Sequence, residues 1–204
     1  NPPFSLFREF IALMVKYNKD FIVIGNTNSL TYKEIFPLIK DDKLRTGYTN
    51  FNVGMFFFVP DSYEQFHHYQ GGRKVARVSS SCWFTTLPVS KHNEEIICIK
   101  QYSEEEYPKY DNFDAIEVGN VNDIPEQYDG LMGVPITYVN KHNPNQFEII
   151  GSFNNSNIEE KEREGYVLSK DTPTIINGVE KMWNGPVINK NPLYKRIVIR
   201  RKKQ

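Results

Sequence analysis

The chain has 204 residues, with 25 Lys and Arg against 25 Asp and Glu, and 39% of its residues are hydrophobic. This composition provides enough apolar side chain for a packed core and excludes a disordered chain. The balanced charge excludes attraction to polyanions through net charge alone, so any contact with nucleic acid must depend on how the charges are arranged.

The first four residues, Asn1-Pro2-Pro3-Phe4, form a rigid tetrapeptide that is rich in hydrogen-bond acceptors. Proline has no N–H and a fixed φ, so the Pro2 carbonyl and the Asn1 side-chain oxygen are free to accept both hydrogens of one aryl amine. Such acceptors would stabilise the charge that develops as the amine attacks an electrophile, and Phe4 offers a flat face for a base. An ordinary turn has the same residue types, and that interpretation stays open.

Residues 5–25 have the pattern of a helix followed by a strand. Ser5 is a capping residue type, and apolar residues recur after it at helical spacing, namely Leu6, Phe10, Leu13, Met14 and Tyr17. Residues 21–24 form an apolar run that ends at Gly25, as in a buried parallel strand. Loop, helix, strand and glycine in this order predict the end of an α/β unit.

The loop after this strand contains Asn26. Open α/β sheets bind ligands beyond the C-terminal ends of their parallel strands, so Asn26 is a candidate for contacting a cofactor or a base. An Asn that only adopts a tight turn explains the residue equally well. Thr31 and Glu34 then form a capping-box pattern that predicts a short helix, which Pro37 is expected to kink or shorten.

Residues 44–48, 55–59, 75–78 and 82–87 have strand patterns, which predicts a sheet that closes in antiparallel fashion. The run 56–58 is predicted to lie in the core. Trp83 and Phe84 are candidates for the aromatic surface that a base extruded from a nucleic acid stacks on, which contributes roughly 1 to 3 kcal/mol per base. Ordinary buried strand aromatics are the alternative.

Residues 70–74 predict a basic turn in which Arg73 and Lys74 could reach a phosphate or a guanine edge, although a solvated hairpin tip has the same composition. The chain is acidic between about residues 94 and 126, and we expect these acidic side chains to face outward. Residues 115–118 and 134–139 have strand patterns within and after this stretch.

The C-terminal part is rich in Asn and Lys. A hairpin is predicted at residues 177–178 and a connecting loop at 186–192, whereas residues 158–164 are too charged for a buried helix. The chain ends with the basic residues Lys195, Arg196, Arg200, Arg201, Lys202 and Lys203. Residues 197–199 are expected to hold this segment as a strand, with Arg196, Arg200 and Arg201 as candidate phosphate contacts; a solvated tail is the alternative.

Cys82 and Cys98 lie in apolar surroundings and are predicted to be reduced, buried thiols. The adjacent His67 and His68 and the isolated His92 and His142 lack metal-ligand spacing, so no metal site is predicted. No apolar run reaches membrane-spanning length and the N-terminal residues do not resemble a signal sequence, so we expect a cytoplasmic protein without membrane contact.

Three stretches resemble the EcoRI-type adenine-specific DNA methyltransferases, and the likeness runs through most of the chain. They are residues 1–9, which begin with Asn-Pro-Pro-Phe, residues 24–39, which contain Thr-Tyr-Lys-Glu-Ile-Phe-Pro-Leu-Ile, and residues 128–137, Tyr-Asp-Gly-Leu-Met-Gly-Val-Pro-Ile-Thr. The first stretch is shared with many amino-methyltransferases, including some that act on RNA or on protein glutamine. The other two are more particular to the EcoRI-type group.

The resemblance implies an α/β fold: the C-terminal part of a Rossmann-like sheet that binds S-adenosylmethionine, followed by a mixed α+β target-recognition region. Residues 1–100 are predicted to be the second half of the catalytic core and residues 101–204 the region that reads DNA and closes the core. The chain departs from the family pattern because it begins on the catalytic motif, without the Gly-rich cofactor loop. We therefore expect a C-terminal portion of a longer protein, inactive by itself.

The implied function is N6-methylation of adenine in double-stranded DNA, with Asn1, Pro2, Pro3 and Phe4 holding a flipped base and Asn26 near S-adenosylmethionine. Transfer would be direct, without a cysteine nucleophile. A bacterial or phage restriction-modification system, with a restriction endonuclease acting on the same site, is the expected setting. Methylation of RNA or of a protein amide, and an inactive DNA-binding fragment, remain alternatives.

Overall fold

The computed structural model describes residues 3–153 and 169–203 and has a mixed α/β fold. The helices are α1 (Phe7–Lys16) and α2 (Phe36–Lys40), with short 3-10 segments at Phe4–Leu6, Thr27–Thr31, Ser90–Asn93, Val121–Asp123 and Ile136–Lys141. The strands are β1 (Ile22–Asn26), β2 (Arg45–Thr46), β3 (Met55–Phe58), β4 (His68–Gln70), β5 (Arg73–Val78), β6 (Ser81–Thr85), β7 (Ile116–Glu117), β8 (Met132–Pro135), β9 (Phe147–Ser152), β10 (Thr172–Ile176), β11 (Val179–Trp183), β12 (Val187–Ile188), β13 (Asn191–Pro192) and β14 (Arg196–Arg201).

The first sheet has the strand order β1-β6-β2, and both pairings are antiparallel. Ile24 lies opposite Trp83, and Gly25 lies opposite Cys82. The predicted strands at 21–24, 44–48 and 82–87 are therefore confirmed in type, with shifted ends. The partner of β1 among the described residues is antiparallel, so a parallel neighbour for this strand stays a prediction.

Helix α1 packs on one face of this sheet through Phe7 and Ile11, which are buried. The predicted helix is confirmed, but its predicted cap is wrong, and of the apolar residues that indicated the helix only Phe10 and Met14 pack against the core. Ser5 lies inside the 3-10 segment Phe4–Leu6 and caps nothing with its side chain. Leu6, Leu13 and Tyr17 are exposed, because one helical position rotates a side chain by about 100°, so a register shift of one residue changes the buried face.

The predicted capping box at Thr31 and Glu34 is also wrong. Thr31 ends a 3-10 segment, and the next helix starts at Phe36 with Ile35 as its N-cap. Pro37 lies in the first turn of α2 and does not kink it, because the N–H that proline lacks has no intrahelical partner at that position. The helix was therefore correctly expected but starts later than the pattern suggested.

The second sheet has the order β7-β8-β14-β9, with β14 between β8 and β9. Residues 197–199 are fully buried in β14, which confirms the predicted strand. The predicted strand at 134–139 is correct only up to Pro135, since Ile136–Lys141 is a 3-10 segment.

One hydrophobic cluster joins the two sheets. It contains Phe7 and Phe84 from the first sheet region and Phe147 and Ile199 from the second. Residues on both sides of the predicted boundary near residue 100 thus share one core. The assignment of residues 1–100 to the catalytic core and of 101–204 to DNA recognition remains a prediction.

Strands β3, β5 and β4 form a third, largely exposed sheet, which we call the arm. Phe56 and Phe58 are 44% and 49% exposed, so the prediction that residues 56–58 lie in the core is wrong for both. Strand β4 was not predicted. The hairpin at Asn177 and Gly178 is confirmed, with positive φ at both residues, whereas the prediction for 158–164 lies outside the described residues.

Candidate functional site

The described part of the N-terminal motif is an exposed 3-10 turn. The Leu6 N–H donates to the Pro3 carbonyl over 2.9 Å, so this carbonyl is used by the turn. The Phe4 ring is 45% exposed and can serve as a stacking surface. Asn1 and Pro2, whose oxygens were predicted to accept the hydrogens of an amine, lie outside the described residues.

The packing of Phe7 places this motif at the C-terminal end of β1. A Cβ atom at Gly25 would lie 2.5 Å from Cε2 of Phe7, so only glycine lets the start of α1 approach the strand this closely. The Phe7 and Phe84 rings pack at a centroid distance of 5.1 Å. Gly25 was predicted only to end the strand. Because it lets Phe7 pack against the strand, Gly25 also determines where the motif lies.

Asn26 follows Gly25 and is therefore near the motif. Its side-chain Oδ1 accepts the Asn28 N–H over 2.8 Å and caps the 3-10 segment Thr27–Thr31. The structural alternative, an Asn that shapes a tight turn, is thus correct. The residue is half-buried at the edge of the sheet, which leaves its predicted role in contacting a cofactor as a prediction.

Trp83 and Phe84 lie on opposite faces of β6, as neighbours in a strand must. Phe84 is fully buried against Phe7, so we assign it to the core and no longer to a base-stacking surface. Trp83 is half-buried and lines an apolar groove of about 650 Å³. Tyr48 and Leu87 also line this groove, so Trp83 remains available to a planar ligand.

A second cavity, of about 460 Å³, lies next to this groove, and Tyr48 lines both. Its lining is polar and includes Asn50, Asn52, Asn120, Asn122 and Asn140. This cavity was not predicted from the sequence. The spacing Asn-x-Asn occurs at 50–52 and at 120–122, but it also occurs outside the cavity, for instance at 26–28 and 189–191, so this spacing does not mark the cavity.

Lys91 lines the second cavity and packs over the Tyr48 ring at 5.8 Å from its centroid. Its ammonium donates to the Gly47 carbonyl and to Oδ1 of Asn140. Burial lowers the pKa of Lys91 to about 8, so most of this ammonium stays charged at neutral pH.

The predicted basic turn is the tip of the arm, with positive φ at Gly71 and Gly72. The Arg73 guanidinium packs on the Phe58 ring at 4.0 Å from its centroid and faces solvent. Lys74 differs, because its ammonium donates to the Asp61 carbonyl over 2.5 Å and to the Tyr63 carbonyl over 3.0 Å. Lys74 therefore holds the arm together, whereas Arg73 is the residue that can reach a phosphate.

The C-terminal arginines are mostly paired within the protein. Arg196 donates to both carboxylate oxygens of Glu117 at 2.7 to 3.0 Å, and both side chains are nearly buried at 13% and 12% exposure. Its prediction as a phosphate contact is therefore corrected to an internal ion pair. Arg201 packs on Phe147 and donates to the Pro125 carbonyl over 2.9 Å. Arg200 is exposed, although it also pairs with a carboxylate, that of Glu148.

Glu117 explains why this prediction failed. It belongs to the acidic stretch, whose side chains are otherwise mostly exposed as expected. The Tyr110 hydroxyl also donates to Glu117, and burial together with this carboxylate raises the pKa of Tyr110. The acidic middle and the basic end of the chain thus neutralise each other at one buried point.

His92 and His142, which are isolated in the sequence, meet in the structure. Nδ1 of His92 lies 2.7 Å from the His142 carbonyl oxygen, and Nε2 lies 2.9 Å from the Thr46 carbonyl oxygen. Both rings are buried, and these contacts connect the two sheets.

Across residues 3–153 and 169–203, no three His, Cys, Asp or Glu side chains converge to hold a metal ion. Within the same residues, neither helix has the length and apolarity to cross a membrane.

The family model described as "Adenine-specific methyltransferase EcoRI" matches residues 1–202. The "Type II methyltransferase M.EcoRI" of Escherichia coli is 43% identical over 156 residues, which are 74% of this chain and 48% of that protein. No solved structure matches significantly.

Two mycoplasma proteins are also similar. "Type II methyltransferase M.MgeORF184P" of Mycoplasma genitalium is 38% identical over 158 residues, which are 74% of this chain and 50% of that protein. "Type II methyltransferase M.MpnI" of Mycoplasma pneumoniae is 37% identical over 161 residues, 74% of this chain and 49% of that protein. The chain thus spans about half the length of these relatives. With the family model matching nearly every residue, the chain belongs to the EcoRI family of adenine-specific methyltransferases.

Proposed function

We propose that this chain is the motif-bearing part of a DNA adenine-N6 methyltransferase that uses S-adenosylmethionine. The observation that carries the proposal is the family match over residues 1–202, which includes the Asn-Pro-Pro-Phe motif. The position of Phe4 beside the C-terminal end of β1 supports it, because ligands of open α/β sheets bind at such an edge.

In this proposal the chain supplies the amine-binding groups. The Asn1 side-chain oxygen and the Pro2 carbonyl accept the two N6 hydrogens of adenine, which aims the nitrogen lone pair away from the ring. Phe4 stacks on the base. When bound, S-adenosylmethionine would supply an electrophilic methyl group to the N6 amine that these residues would hold, and the surplus N6 proton would leave to solvent.

Asn26 fits a place near the cofactor in one respect, because it is half-buried at the same edge of the sheet as Phe4. Its oxygen already accepts a backbone hydrogen bond, so its amide NH₂ is the group that could contact a ligand. A covalent route through Cys82 is not supported, because burial raises the pKa of this thiol to about 12 and leaves it protonated.

Double-stranded DNA is the proposed substrate, with the target adenine flipped out of the stack. Trp83 is a candidate for the surface against this base, since it is half-buried beside an open apolar groove. Arg73 is the arm residue proposed to contact DNA, with Arg200 as a further exposed candidate. A companion restriction endonuclease acting on the same site belongs to this proposal.

The first test is nucleoside mass spectrometry on DNA from methylation-deficient cells that express the full-length protein. We expect N6-methyladenine with the unmutated protein and a loss of roughly 100- to 1,000-fold in the Asn1→Ala variant, the scale for removing one group that stabilises developing charge. Asn191→Ala, an exposed change on β13, is the matched control and should keep full activity.

Binding of duplex DNA by Asn1→Ala should remain close to that of the unmutated protein, since the motif acts on the base after extrusion. A well-folded full-length protein that leaves adenine unmethylated would overturn the proposal. The same cells would then be tested for methylated RNA and protein glutamine, because the motif recognises an amino group and not the polymer that carries it.

A further inference from the structure

The polar cavity of about 460 Å³ lies where four segments meet. These are the loop at 48–52, the 3-10 segment with Lys91, the turn at 120–122 and the 3-10 segment that ends at Lys141. We call it the Asn–Lys cleft. It combines residues from the first sheet region with residues that precede β9, so only the folded chain assembles it.

Four of the five asparagine side-chain oxygens in this cleft accept hydrogen bonds from within the protein. Oδ1 of Asn50 accepts the Asn52 N–H, and Oδ1 of Asn120 accepts the Asn122 N–H, both over 3.0 Å. Each of these Asn residues thereby closes a local turn. With the oxygen engaged in this way, the NH₂ group of each amide is the part that can serve a ligand.

Two lysines donate to the other two of these four amide oxygens. The Lys141 ammonium donates to Oδ1 of Asn122 over 3.1 Å, and the Lys91 ammonium donates to Oδ1 of Asn140 over 2.5 Å. The cleft therefore offers amide and ammonium donors, while four of its five amide oxygens already accept hydrogen bonds from the protein. No carboxylate is among the described residues that line it. Such a donor set favours an oxyanion and disfavours a metal ion or a cationic ligand.

The neighbouring groove narrows the identity of this anion. Tyr48 lines both cavities, and Lys91 packs over its ring. An aromatic, apolar groove that contains Trp83 thus lies directly beside a cleft of hydrogen-bond donors. A nucleotide within a DNA strand would match both cavities, because its planar base suits the apolar groove and its charged phosphodiester suits the cleft of donors.

We propose that the Asn–Lys cleft binds a backbone phosphate of the DNA strand whose base enters the Trp83 groove. The inference rests on the proposed function and adds to it a site that neither the basic tail nor the arm provides. Phosphate contacts of this kind set the register of a protein on DNA, so the cleft would hold the strand while the base is extruded.

The decisive variants keep the fold and change only what the cleft offers. In Asn50→Asp/Asn120→Asp, each carboxylate still accepts the backbone N–H that closes the turn, but a negatively charged oxygen replaces each donor. Lys141→Met keeps the length of an exposed side chain and removes its charge. Asn18→Asp/Asn191→Asp, a pair of exposed changes outside the cleft, controls for the two added negative charges.

Binding of full-length protein to duplex DNA is measured against salt concentration. We expect Asn50→Asp/Asn120→Asp to bind at least tenfold more weakly than the Asn18→Asp/Asn191→Asp control, which carries the same net charge. Lys141→Met should lower the slope of log affinity against log salt by about one, as for one lost phosphate contact. Unchanged thermal unfolding midpoints confirm that the variants are folded.

A scan of single methylphosphonate substitutions, which make one DNA phosphate neutral, then identifies the contact. One position should weaken binding by the unmutated protein yet have no further effect on Lys141→Met. If the unmutated protein binds and methylates DNA while the cleft variants keep its affinity and salt slope, the inference is overturned and the proposed function stands. If the unmutated protein does not bind DNA at all, the proposed function fails first.

Discussion

The arm and the second sheet each contain an arginine that the sequence marks as a phosphate contact, yet the two residues have opposite environments. Arg73 lies at the exposed tip of the arm, supported only by the Phe58 ring among its described contacts. Arg196 lies at the start of β14, paired through two donors with a nearly buried Glu117. A nearly buried carboxylate thus holds Arg196 inside the protein, whereas the Arg73 guanidinium stays exposed to solvent.

The largest expected effect comes from breaking the buried pair. Glu117→Gln keeps the shape of the side chain but removes its charge, which leaves the Arg196 guanidinium nearly buried and without a counter-ion. We expect the free energy of unfolding to fall by roughly 3 to 5 kcal/mol, as measured by urea denaturation. Glu148→Gln, which removes an exposed partner of Arg200, should cost less than about 1 kcal/mol. Equal losses in the two variants would contradict the contrast between buried and exposed pairs.

The free energy of unfolding should depend on pH through His142, which is buried, and not through His67, which lies on the exposed arm. Burial lowers the pKa of His142 to about 4 from an ordinary 6.5, so the unfolded chain takes up a proton before the folded one does. Stability from this residue is complete above pH 6.5 and is lost as pH falls to 4. The loss is about 3 kcal/mol at most.

Urea unfolding at a series of pH values measures this dependence. His142→Gln should flatten the slope between pH 6.5 and 4, because the variant has no group at this position to protonate. His67→Gln, on the exposed arm, should leave the slope unchanged. An identical pH dependence for all three proteins would show that His142 does not cause the acid sensitivity.

The smallest expected effect on stability is that of Arg73→Ala. Its removal should change the free energy of unfolding by less than about 0.5 kcal/mol, since it lies on the surface of the arm. Affinity for duplex DNA should nevertheless fall by roughly 1 kcal/mol across different sequences, with a lower salt slope, if Arg73 contacts a phosphate. Lys181→Ala on β11 is the control. A loss confined to one target sequence would instead indicate that Arg73 reads a base edge.

Local patterns in the sequence predicted elements but not their surfaces. The helix after the motif was predicted correctly, yet of the five apolar residues that indicated it Phe10 and Met14 pack against the core, whereas Leu6, Leu13 and Tyr17 are exposed. Helical spacing shows that an apolar stripe exists, but neighbouring stripes in an apolar helix differ by a single residue. Only the contact of Phe7 with Gly25 and Phe84 decides which stripe is buried.

By itself, the sequence determined the family, the hairpin at Asn177-Gly178 and the buried strand at residues 197–199. These features depend on residue types that are adjacent or at fixed spacing, so they are visible in one dimension. Tertiary structure decided that Phe84 is core and Trp83 lines a groove, that Glu117 neutralises Arg196, and that two Asn-x-Asn turns meet at one cleft. Each of these depends on contacts between residues far apart in the chain, and such contacts follow from how the sheets pack and not from local spacing.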